Sequence, residues 1–211
     1  MRMEAYPGWA GRVHQVRWTP FESREAMSRN PCKNRWRSHL MPALLPRRMR
    51  GWLRDPGSLT GRICARCEVF SVRILRQRVC PMLNDEAAVL GLRPGRVAWV
   101  REVLLLADGV PVVYARSVLP FETLRAGSRL FAKVGSRPLG AALFANPRVK
   151  RGELVNARLD QRDARYRAAA RAAHPTRLPR EVWGRRSTFC LRNRRLLVSE
   201  IFLPAILDLP V

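Results

Sequence analysis

Two charges stand where a core needs apolar side chains. If residues 97–103 form a strand with alternating sides, Val97, Trp99, Arg101 and Val103 share a face on which Arg101 is the sole charge. Near the C-terminus, Leu196, Val198, Glu200 and Phe202 share a face whose one charge is Glu200. Another guanidinium, Arg116, shares a face with Val112, Tyr114 and Val118. A charge withdrawn from water is costly unless it is paired. Three arrangements satisfy that demand. Arg101 and Glu200 pair with each other, or one strand turns this face to water, or the two line an apolar pocket with a few convergent polar groups. The last is how small anionic ligands are usually held, and an arginine fork grips a carboxylate through two parallel bonds.

Other chemistries find less support. Cys64-Ala-Arg-Cys67 has the spacing of half a zinc site, but a structural site needs four ligands and no second pair or nearby histidine completes it. His14, His39 and His174 are isolated from one another and from any acidic cluster, so neither a triad nor a metal constellation is visible. There is no GxGxxG after a strand and no Walker loop, which leaves nucleotide cofactors without a seat. No cofactor and no metal are expected. The five cysteines make an odd count without an export signal, so reduced thiols are expected.

The elements that must position these charges are mostly strands. Segments 97–106 and 110–119 bracket Ala-Asp-Gly109 as a hairpin, and 68–76 alternates as a strand before it. Segments 187–191 and 196–203 flank Arg192-Asn193-Arg194 as a second hairpin. Leu40, Leu44, Met49, Trp52 and Leu53 suggest an amphipathic helical entry broken by Pro42 and Pro46, followed by a turn at Asp55-Pro-Gly57 and a loop or helix start at Ser58. Short helices are expected over 138–145 and 159–173. The expected fold is α+β: one mainly antiparallel sheet of about five to six strands, with short helices on one face and across its end.

At 211 residues and 47% hydrophobic content, the chain can bury one core without disulfides or metal. Residues 1–34 read as a basic, loose extension and 35–211 as the folded domain. The longest apolar stretches are interrupted by Arg101, Glu102 and Asp108, so no membrane span is expected, and the first residues lack the apolar run of a signal peptide. Cytoplasm is the expected location. The formal charge of +24 raises nucleic acid as a partner, but all but three of the 40 basic residues are arginine, which reads as compositional bias, and no RNA-binding motif interleaves them with aromatics. No nucleic-acid partner is expected.

Five segments in order resemble one family, the chorismate pyruvate lyases: WVREVLLLADG (99–109), ARSVLP (115–120), PLGAALF (138–144), WGRRS (183–187) and SEIFLPA (199–205). A fainter match runs back through WLRD (52–55) and SLT (58–60). The resemblance implies a cofactor-free lyase that eliminates pyruvate from chorismate to leave 4-hydroxybenzoate, at the head of ubiquinone synthesis. It implies a single antiparallel sheet with short helices covering an enclosed site. The family's carboxylate-binding arginine falls on Arg101, its glutamate near the ring hydroxyl on Glu200, and a leucine whose backbone lines the site on Leu139. An early pocket residue, often Met in the family, falls on Leu59. In the mechanism that fits, Arg116, or as alternatives Arg185 or Arg186, is expected to meet the enolpyruvyl carboxylate. A monomer inhibited by 4-hydroxybenzoate is implied. The N-terminal extension and the basic segment 158–180 depart from the family pattern. Since effector-binding domains of some transcription regulators resemble the same fold, a non-catalytic small-molecule sensor is the alternative.

Overall fold

The computed structural model describes residues 35–38, 45–132, 137–174 and 177–210. The proposed extension 1–34, and Leu40, Pro42 and Leu44 of the expected entry helix, lie outside them.

The chain enters through α1 (Arg47–Arg54), which begins directly after Pro46, where the fixed φ of proline suits a helix start. Its apolar stripe, Met49, Trp52 and Leu53, is buried. After the Asp55-Pro56-Gly57 turn, Ser58 caps α2 (Leu59–Cys64) by accepting a hydrogen bond from the Gly61 amide, so Ser58 starts a helix.

Six strands then form one antiparallel sheet: β1 (Phe70–Pro81), β2 (Val97–Ala107), β3 (Val110–Leu119), β4 (Val149–Asp160), β5 (Glu181–Leu191) and β6 (Arg194–Phe202). Their order is β1-β2-β3-β6-β5-β4, two three-strand meanders meeting where β3 pairs with β6. The β2–β3 turn holds Asp108 and Gly109 at φ 49° and 79°, and the β5–β6 turn holds Arg192 and Asn193 at 49° and 60°. These left-handed pairs match the twist of antiparallel strands, and Gly109 adopts its φ without a Cβ to clash.

Between β1 and β2 lies α3 (Asn84–Leu90). The β3–β4 crossover carries α4 (Phe121–Ala126), α5 (Ser128–Ala132) and α6 (Leu139–Phe144), and α7 (Ala164–Ala172) links β4 to β5. The helices cover both faces of the sheet, not one as expected. On one face α1, α2, α6 and the 3-10 turn Pro204–Asp208 bury Val103, Leu105, Val113, Leu119, Val198 and Phe202. On the other, α3 and α7 bury Val100, Leu104, Tyr114, Leu159, Leu197 and Ile201. The run VLLLA at 103–107 carries the reason. It is buried at every position, which a strand achieves only when both of its faces are packed.

Two further differences concern the middle of the chain. Leu159 and Asp160 end strand β4, and the helix starts at Ala164, with Asp163 accepting a bond from the Arg165 amide. β4 itself is polar and interrupted by a bulge between Arg151 and Leu154, so it lacks the alternation that marks β2 and β6. No helix of the described residues is long and apolar enough to cross a membrane.

Candidate active site

Register decides which charges share a face. Arg101 on β2 pairs with Ser117 on β3, Ser117 with Val198 on β6, and Val198 with Ser187 on β5. One row over, Val103 pairs with Ala115, Ala115 with Glu200, and Glu200 with Arg185. Arg101 and Glu200 therefore point to the same face, the one under α1, α2 and α6. They stand two strands and two residues apart, or about 12 Å between Cα atoms at ordinary sheet spacings.

Arg116 does not join them. A regular two-residue hairpin, continuing from the Ala107–Val110 and Leu106–Pro111 pairs, would set Arg101 opposite Arg116. A bulge between Leu105 and Leu106 shifts the register by one, so Arg101 meets Ser117 and Arg116 meets Glu102 on the opposite face. There Arg116 is saturated by carboxylates. Its Nε and Nη2 donate to the two oxygens of Glu86 at 2.8 and 3.0 Å, and its Nη1 donates to Glu102 at 2.6 Å. Arg186 also lies on that face, donating to Asp85 at 2.7 Å and stacking over Trp36. The register thus sets Arg116 and Arg186 on the face opposite Arg101.

On the Arg101 face the charges have fewer carboxylate partners. Arg101 is 2% exposed and its Nη1 donates to the Arg137 carbonyl at 2.9 Å, just before α6. Burial pulls its pKa below the ordinary arginine value. Glu200 accepts from the Nε of Arg185 at 2.6 Å. Arg185 is fully buried, and its Nη1 reaches back to the carbonyls of Trp52 and Asp55 at 2.9 and 3.0 Å, tying the end of α1 to the sheet. Leu59 at the start of α2 and Leu139 at the start of α6 are both buried.

A cavity of about 10 Å³ lies between Leu59, Gly140, Arg151, Ser187, Val198 and Glu200. That is room for about one water. A larger hollow of about 450 Å³ opens on the other face beside Trp36, Lys150, Glu153, Arg186 and Arg195. Volume favours the hollow, but Glu200 and Leu59 line the smaller space, and Arg101 belongs to its face of the sheet. Size alone does not locate chemistry when covering helices can move.

Arg151 was not anticipated from sequence. Its Nε donates to Ser187 at 2.9 Å, its Nη1 to the Pro56 carbonyl at 2.6 Å, and its guanidinium lies over the rings of Phe144 and Phe189. The signal that would have found it is Gly152, a glycine inside a strand that marks the bulge between Arg151 and Leu154. Among the described residues no group of three or more His, Cys, Asp or Glu converges as a metal site.

The family model described as "Chorismate lyase" matches residues 33–209. The chain belongs to the chorismate lyase family. The probable chorismate pyruvate-lyase of Aromatoleum aromaticum is 58% identical over 180 residues, covering 85% of this chain and 97% of that protein. The probable chorismate pyruvate-lyase of Azoarcus sp. strain BH72 is 56% identical, covering 80% and 90%. Among solved structures, the C-terminal domain of the histidine utilization repressor from Pseudomonas syringae superposes with a TM-score of 0.50 at 11% identity, over 65% of this chain and 93% of that one. At that identity the likeness is one of fold alone. The chorismate lyase segments at 99–109 and 199–205 are those that carry Arg101 and Glu200.

Proposed function

We propose that this protein removes pyruvate from chorismate to give 4-hydroxybenzoate, the entry step of ubiquinone synthesis, as a cytoplasmic monomer. The observation that carries the reading is a cation and a carboxylate spaced across one face of the sheet, each on a segment that matches the chorismate lyase family.

Arg101 holds the ring carboxylate of chorismate through its fork, and Glu200 takes the C4 hydroxyl as a hydrogen-bond acceptor. The C4 hydrogen is lost, the C3–O bond breaks, and its electrons leave with the enolpyruvyl oxygen, which becomes pyruvate on protonation at its methylene carbon. The ring becomes aromatic, so the reaction needs little beyond a fixed geometry. Holding the reacting groups in place in a closed site can supply roughly 7 kcal/mol or more of barrier reduction. Leu59 and Leu139 form apolar walls above the ring. Arg185 holds Glu200 in place through its Nε.

The test is direct. Purified protein mixed with chorismate and no added cofactor is followed for 4-hydroxybenzoate absorbance and for pyruvate. Equimolar appearance of both supports the reading. Binding of chorismate or 4-hydroxybenzoate without turnover would mark a sensor instead.

A further inference from the structure

Chorismate carries two carboxylates and 4-hydroxybenzoate only one, so the proposed function leaves one charge of the substrate without a partner. With the ring carboxylate on Arg101 and the C4 hydroxyl on Glu200, the enolpyruvyl ether on C3 lies one carbon from the Glu200 end of the site. Its carboxylate must be met there. Two guanidiniums are near Glu200. Arg185 is already ion-paired through Nε to Glu200 and bonded through Nη1 to two carbonyls, with its Nη2 buried and without a bond among the described residues. Arg151 lines the same small cavity as Glu200, which Arg185 does not, and its Nε and Nη1 go to neutral acceptors, the Ser187 hydroxyl and the Pro56 and Gly57 carbonyls.

The contrast with the other face is informative. There Arg116, Arg165 and Arg186 each hold a carboxylate. Arg151 has no carboxylate within ion-pair distance among the described residues, although it is partly buried against two aromatic rings. Such a cation is stabilised by an arriving anion more than a paired one is. Burial, with Arg185 beside it, pushes the pKa of the Arg151 guanidinium down to about 10 against the pull of Glu200 and Asp55, and leaves it charged at neutral pH. We propose that Arg151 receives the enolpyruvyl carboxylate, so that this residue separates the dianionic substrate from the monoanionic product. Once the C3–O bond breaks, the second anion departs with pyruvate and Arg151 no longer holds the ring.

This inference rests on the chorismate reading, and its test separates the two. The probes are 4-hydroxybenzoate and 3-(carboxymethoxy)-4-hydroxybenzoate, a stable dianion with its second carboxylate tethered at ring C3, titrated by calorimetry into wild type, R151Q and R151K. In R151Q the dianion should bind at least tenfold more weakly and the KM for chorismate should rise, while affinity for 4-hydroxybenzoate stays within twofold. R151K, which keeps the charge without the fork, should fall between. Retained 4-hydroxybenzoate binding also shows that the variant is folded, and if R151Q does not fold, R151K is judged by the same ratio. Parallel weakening of both ligands, or an unchanged dianion, overturns the assignment. A wild-type protein that neither binds 4-hydroxybenzoate nor consumes chorismate overturns the proposed function instead.

Discussion

Arg101 is fully packed within the sheet, yet its fork is the group best placed to take a carboxylate, so its removal should be felt in both binding and rate. Charge-assisted hydrogen bonds contribute about 2–3 kcal/mol, and Arg101→Ala should lower kcat/KM for chorismate roughly 30- to 150-fold, with KM raised and kcat reduced. Steady-state kinetics check this, and wild-type values would remove Arg101 from the site. Glu200 is assigned to holding the hydroxyl, and whether it also takes the C4 hydrogen is open to a label. Chorismate deuterated at C4 should give pyruvate without deuterium in its methyl group if Glu200 is the base, since a carboxylic acid exchanges with water. Deuterium retained in the methyl would mean that the hydrogen passes within the substrate. At this scale the sequence is informative only in part. A lone charge on an apolar face marked Arg101 and Glu200, because alternation within a strand needs no partner to read. Arg116 bears the same mark yet lies on the opposite face, and alternation does not say which side of the sheet a face belongs to.

Elements settle that question. The bulge at Leu105 and Leu106 turns Arg116 away from Arg101 and into a buried network with Glu86 from α3 and Glu102 from β2. The one residue beside it that marks an irregularity is Pro111, which has no amide hydrogen to give a ladder, and it does not fix which way the register shifts. Burial works to raise the Glu102 carboxyl, but hydrogen bonds from Arg76 and Arg116 outweigh it and hold the group below its ordinary range. A depressed carboxyl pKa contributes stability that is full above the ordinary value of 4.5 and is lost as pH falls through the folded value. Denaturation midpoints should therefore drop on acidification below about pH 4.5, and less so in Glu102→Gln, which should already be less stable at neutral pH. Removing one partner of a buried pair costs about 3–5 kcal/mol. The neutral-pH loss should be near the lower end, because Glu86 still holds Arg116. Chemical denaturation across pH reads both effects. On the other face, α2 and α6 close over a space of about 10 Å³, far less than an aromatic ring occupies. These helices must part for ligand to enter and again for product to leave. Slow release and competitive inhibition by 4-hydroxybenzoate are expected, measured as a rise in apparent KM when product is added, and no competition at high product would argue against an enclosed site.

For the whole molecule, the α+β class and the single antiparallel sheet were legible because two hairpins with left-handed turn residues dominate the second half of the chain. What was not legible follows from polarity. β4 carries Lys150, Arg151, Glu153 and Arg158 on an edge, where charged side chains blunt an unpaired strand, so it reads as a loop or as part of a helix. Placing helices on both faces required seeing that 103–107 is buried throughout. The molecule thus has two sides with different chemistry. One is a face of arginine–carboxylate clusters beside a hollow of about 450 Å³, and the other is a closed face with Arg101, the Glu200–Arg185 pair and Arg151. The account depends on which side holds the ring. A crystal structure with bound 4-hydroxybenzoate decides it. The prediction is a ring under α2 and α6, its carboxylate on the Arg101 guanidinium and its phenol oxygen on Glu200. A ring seated in the hollow beside Trp36 and Arg186, or reversed between Arg101 and Glu200, would contradict it.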